Sequence, residues 1–182
     1  MADGRTGIIL FVAIIIALNI FAFYSAPSEQ FDFSADTTEI WRVVTFQFFH
    51  FDGMHLLQNV LGLALTAALA MEIGLNFREF TTVYFVGIFI AIPIAFLFPQ
   101  AAIAGNSTGI YAVLAASLIK ARKLIPQYIT LPLFGIFIFS NSLASLLSCG
   151  QDCLNGIFKT DFFHFFGFAT GAGAEYVEQK VI

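Results

Sequence analysis

Three stretches of this chain place side chains able to do chemistry inside hydrophobic surroundings. "GNSTGIY", residues 105–111, puts Ser107 between Gly105 and Gly109, with Tyr111 one turn further on. "HFFGFATG", residues 164–171, opens on His164. "HFDGMHLLQN", residues 50–59, carries His50, His55 and Asn59. A serine hydroxyl is a weak nucleophile until a base takes its proton, and histidine is the usual base. A carbonyl attacked in this way develops an oxyanion, which fixed donors such as His and Asn stabilise in a low-dielectric site. Acyl transfer is therefore one chemistry that these residues could perform together.

Each stretch also has a plainer reading. His55 and Asn59 are i and i+4, so they share one helix face, and such pairs serve helix–helix hydrogen bonding as readily as catalysis. A lone G-x-S-x-G gains meaning in a strand–turn–helix hydrolase, and this sequence shows no sheet pattern. Two glycines four apart would let another helix approach. A metal site would need His50, Asp52 and His55 to converge, and nothing in their spacing directs Asp52 inward. The absence of a fuller ligand set leads us to expect no metal and no other cofactor.

The elements that must position these residues are membrane helices. Apolar residues make up 59% of the 182 and charged residues 11%, and the mean hydropathy is +0.86. A water-soluble domain carries about 25% charged residues. The net charge of −4 argues against a nucleic-acid partner. Six apolar runs, 7–25, 55–73, 79–98, 106–121, 127–147 and 161–178, are candidate spans, the fourth short of the roughly 20 residues that cross a bilayer. The first exceeds an ordinary signal-peptide core and reads as a retained helix. The fold class expected is an all-α integral membrane protein, a single domain over residues 1–182 with six transmembrane helices.

Six spans put both termini on one side. Arg5, Arg78, Lys120, Arg122, Lys123 and Lys180 then share that side, against Arg42 and Lys159 on the other. The excess of Lys and Arg marks the cytoplasmic face. The serine then opens outward, toward the side that carries Glu29, Asp32, Asp36, Glu39, Asp52, Asp152 and Asp161. Cys149 and Cys153 share an outer loop and could be a disulfide or two thiols. A connection of about thirty residues between spans one and two is longer than most. Its aromatic segment "IWRVVTFQFFHF", residues 40–51, reads as an element lying partly in the headgroup region.

The spacing of span six joins these pieces. At about 100° per residue, His164, Gly167, Gly171 and Ala174 fall on one stripe, so a histidine lies in line with a glycine seam. Packed on span four, that seam would bring His164 to Ser107.

On Trp41-Arg42, "HFDGMHLLQN", "GNSTGIY" and "HFFGFATG", in that order and spacing, the chain resembles the rhomboid intramembrane serine proteases; Glu72 and Tyr84 also fall where that family often has such residues. The resemblance covers nearly the whole length. It implies a Ser107–His164 dyad and an oxyanion hole formed by His55, Asn59 and the Ser107 N–H. It implies Tyr111 packed on the His164 ring, His50 bracing the first loop, and Trp41 and Arg42 anchoring that loop at the membrane surface. It also implies lateral entry of substrate past span five and the 148–160 loop. The expected partners are the lipid bilayer and transmembrane protein substrates, cut within or near their membrane segment. The expected location is a prokaryotic cell membrane, and the oligomeric state stays open. The family usually has glycine after the serine, where this chain has Thr108. That departure leaves a second reading, a non-catalytic relative that binds membrane helices. A third, a small transporter using His55, Asn59 and His164, lacks the inverted repeats such proteins show.

Overall fold

The computed structural model describes residues 4–99, 101–122, 124–126, 128, 129, 132, 135 and 154–181. Among them the chain is helical, with one isolated antiparallel bridge between Phe33 and Ile103. Helix α1 runs Gly4–Ser25, α2 Arg42–Thr45, α3 Gly53–Ile73, α4 Phe77–Phe89, α5 Ala91–Ala95, α6 Ser107–Ala121 and α7 Leu154–Val181. Spans one, two, four and six of the sequence reading correspond to α1, α3, α6 and α7. Span five, 127–147, falls almost wholly outside the described residues, as do Cys149 and Cys153. Among the described residues three stretches, Gly4–Ser25, Gly53–Ile73 and Phe77–Ala95, are long and apolar enough to cross a membrane.

The local sequence explains most of these boundaries. Asp52 caps α3, its carboxylate accepting from the His55 N–H at 2.8 Å, and Gly74 ends the helix at φ 83°. Only glycine takes that left-handed conformation without strain. Asn76 and Glu79 form a reciprocal capping box at the start of α4. The third span, expected to be continuous over 79–98, is broken at Ile90 into α4 and α5. Pro93 lacks the N–H that would bond to the carbonyl of Phe89, and its ring crowds that carbonyl.

Helix α6 lies at the centre. Ile110, Ala112, Val113, Ala115, Ala116, Ser117 and Ala121 are all buried, and α3, α4 and α7 pack around it. A helix that is apolar on every side is stable only when enclosed. At about 1.5 Å per residue, its 15 residues fall short of a full hydrocarbon layer of about 30 Å. The outer helices show the opposite pattern, and Ile9, Leu10, Ile14, Phe21 and Leu65 are exposed, as side chains meant for lipid should be.

Small residues set the spacing around α6. A Cβ on Gly109 would stand 2.8 Å from the Tyr84 carbonyl, and one on Gly87 would stand 2.9 Å from the Thr108 carbonyl and collide with Ala112. On the opposite side, a Cβ on Gly167 would stand 2.5 Å from the Thr108 carbonyl, and one on Gly171 would collide with the Ala112 backbone. The α7 stripe read from the sequence therefore does pack on span four.

The connection between α1 and α3 is ordered by one cation. Arg42 Nη1 donates to the Glu29 carbonyl at 3.1 Å, the Asp32 carbonyl at 3.3 Å and Asp32 Oδ1 at 3.1 Å, while its Nε faces Glu39 at 3.5 Å. Burial raises the Asp32 pKa above its ordinary value, and Arg42 opposes that rise. Beyond it, Ile40, Trp41 and Val44 remain exposed. The loop is stitched to the segment ahead of Ser107. Phe33 and Ile103 exchange backbone hydrogen bonds of 2.9 and 2.8 Å, and Gly105 N donates to the Phe46 carbonyl at 2.9 Å.

Candidate active site

Gly105 is not part of a helix face, as the sequence reading had it. It lies in the turn ahead of α6 at φ 92°, a conformation that side chains other than glycine rarely take. A Cβ there would stand 3.0 Å from His55 Cε1 and Nε2 and 3.5 Å from Asn59 Nδ2. The glycine thus brings the turn against two donors of α3, and Ser107 follows two residues later as the first residue of α6.

From the other side, His164 Nε2 stands 3.0 Å from Ser107 Oγ, across 57 residues of sequence. The ring is 8% exposed and lies on Tyr111 with centroids 4.2 Å apart and planes 28° apart. Tyr111 is one turn along α6 from Ser107, so the helix that carries the hydroxyl also carries the platform for the ring. Among the described residues no carboxylate hydrogen-bonds to His164. Its orientation comes from stacking and from the glycine seam below it.

The α3 face holds the remaining polar groups. Asn59 is buried; its Nδ2 donates to the His55 carbonyl at 2.9 Å, which orients the amide and leaves its second N–H. The His55 ring lies between Phe51, stacked at 5.9 Å, and His50, edge-on at 5.0 Å. His50 is 3% exposed, and its ring nitrogens make no well-formed hydrogen bond, only a weak approach to the Phe48 backbone that partly offsets the effect of burial. Burial, together with the neighbouring His55, lowers its pKa to about 4. The fold therefore favours its neutral ring. Among the described residues no three His, Cys, Asp or Glu side chains converge as metal ligands would.

The amides of α6 complete the site. Gly109 N and Ile110 N both donate to the Asn106 carbonyl, at 3.1 and 3.2 Å. No hydrogen bond among the described residues ends on the amides of Ser107 or Thr108. Unsatisfied N–H groups at a helix N-terminus favour negative charge. They lie at the end of α6 that follows Gly105, the glycine against which His55 and Asn59 stand.

Thr108, where the family usually has glycine, lies within the packing around α6. It is 6% exposed, its backbone is pressed between Gly87 and Gly167, and its hydroxyl has no partner. Asn106 is a residue that the sequence reading passed over. It is fully buried, and its Nδ2 donates to Tyr84 Oη at 3.0 Å. The available signal was a capping-type residue directly before an apolar helix, without a Glu or Gln three positions later.

Comparison with known proteins identifies the chain at the level of family. No curated protein and no solved structure matches the chain. A family model, the Rhomboid domain, matches residues 37–180, a range that begins in the first loop and contains every residue of the site. This integral membrane chain therefore belongs to the rhomboid family, whose members are usually intramembrane serine proteases.

Proposed function

We propose that this protein is an intramembrane serine endopeptidase that cleaves single-span membrane proteins within or near their transmembrane segment. The observation that carries the reading is the 3.0 Å approach of His164 Nε2 to Ser107 Oγ, made inside a hydrophobic bundle. Hydrogen-bond distance between nucleophile and base is the geometric requirement for activating a hydroxyl.

In this reading His164 takes the Ser107 proton as Oγ attacks the substrate carbonyl. The developing oxyanion is held by the Ser107 N–H, His55 and Asn59. His164 then protonates the leaving amine, and water releases the acyl group by the reverse sequence. Tyr111 holds the ring in place of a third acidic partner. Trp41 and the exposed apolar residues near it seat the first loop at the membrane surface, with the termini cytoplasmic and the site opening outward. Peptide bonds in a substrate helix are shielded by hydrogen bonds, so the substrate must unwind locally. That requirement favours small or helix-breaking residues at the cut.

A fluorophosphonate probe tests this directly. The purified protein should label, and Ser107→Ala should neither label nor cleave a single-span reporter. Labelling retained in Ser107→Ala would remove the serine from the reaction. A protein that folds but never labels would support the helix-binding relative instead.

A further inference from the structure

Asn106 occupies the position from which an asparagine ordinarily caps a helix. Such a residue has extended backbone, and its side-chain oxygen accepts from an amide in the first turn. Two other helices of this molecule start in that way. Asp52 has φ −153°, ψ 171° and bonds to His55 N; Asn76 has φ −83°, ψ 169° and bonds to Glu79 N. Asn106 instead has φ −107°, ψ 16° and makes no cap bond. Its amide is turned toward α4, where Nδ2 meets Tyr84 Oη, and its Oδ1 is buried without a partner. Tyr84 is fully buried and held edge-on by Phe11, with centroids 5.3 Å apart, so its hydroxyl is a fixed point.

A helix N-terminus can serve a cap from its own chain or an anion from outside, and the two compete for the same amides. We infer that Tyr84 is a positioning residue, whose hydroxyl holds the Asn106 amide against α4 and off the N-terminus of α6, keeping the first amides of that helix open for the oxyanion. The inference rests on the serine-protease reading for its consequence in catalysis. The restraint itself is a property of the fold. Without the hydroxyl, Asn106 relaxes to the extended capping conformation that Asp52 and Asn76 adopt. Its Oδ1 then stands among the amides of Thr108 and Gly109, where it repels a developing negative charge, and the turn from Gly105 to Ser107 shifts with it.

The test is a double-mutant cycle on the full-length protein in detergent. Tyr84→Phe keeps the ring and its packing on Phe11 but loses the tie. Its kcat on a single-span reporter should fall by about tenfold or more, with KM little changed, as expected when a transition-state interaction is lost. Adding Asn106→Ala to Tyr84→Phe removes the competing cap and should return kcat to within about threefold of the parent. A purely structural role for Tyr84 predicts the reverse, because a second buried truncation adds damage. A double variant as slow as Tyr84→Phe, or a Tyr84→Phe variant as fast as the parent, overturns the inference.

Hydrogen exchange on a peptide covering residues 105–111 supplies a readout that needs no turnover. Tyr84→Phe should slow exchange by about one amide, the one taken up by the cap, and the double variant should lose that protection. Unchanged exchange in Tyr84→Phe overturns the restraint. A parent protein that neither labels nor cleaves overturns the protease reading alone, and exchange then still decides whether Tyr84 restrains Asn106.

Discussion

Gly167 lies so close to α6 that a Cβ on it would stand 2.5 Å from the carbonyl oxygen of Thr108. One turn earlier on the same stripe is His164, and directly before Thr108 is Ser107. The closeness of two backbones therefore sets the distance between hydroxyl and ring.

Gly167→Ala should separate α7 from α6 and lengthen the 3.0 Å contact between Ser107 and His164. Overpacking of this kind costs about 1–3 kcal/mol, and the loss of activity should exceed what the lowered melting temperature explains. Gly171→Ala should behave similarly. Gly173→Ala is the control, because nothing lies within 4 Å of a Cβ at Gly173. Equal activity in Gly167→Ala and Gly173→Ala would show that the seam does not govern the dyad.

His55→Ala and Asn59→Ala should lower kcat by about 10²–10³ with smaller effects on KM, the signature of donors used only in the transition state. Initial-rate kinetics on a single-span reporter separate the two constants. Should both variants change KM alone, these residues would belong to substrate docking instead.

Acid should weaken the protein through His50. Its pKa is lowered from 6.5 to about 4, so the fold favours the neutral ring. The stability this contributes is complete above about pH 6.5 and is lost as pH falls toward 4, amounting to roughly 3 kcal/mol from a shift of that size. Thermal melts across that range should show the loss, and His50→Phe should flatten it. A melt curve for His50→Phe that falls as steeply as the parent's assigns the acid sensitivity to another group.

EDTA should leave cleavage unchanged, because His50 and His55 pack edge-on at 5.0 Å and Asp52 is engaged with a backbone N–H. Activity lost on chelation and restored by zinc would replace the serine mechanism with a metal-dependent one.

Much of this was legible along the chain because membrane helices declare themselves locally. Length, apolarity and the lack of charge identify a span without knowledge of its neighbours. The stripe of His164, Gly167 and Gly171 and the shared face of His55 and Asn59 follow from helical periodicity alone. Periodicity says which residues share a face. It does not say which helix meets that face. The contact of α7 with α6, and hence the union of residues 57 positions apart, was decided by where backbones without side chains could approach. Gly105 shows the same boundary at one residue: a glycine in sequence, it forms a φ 92° turn whose N–H meets the Phe46 carbonyl and whose missing Cβ leaves room for the His55 ring, neighbours that only the tertiary structure supplies. Asn106 was least legible, since its type suggested a cap. The tertiary structure chose otherwise, because Tyr84 in α4 offered its amide a fixed partner that no local segment could supply.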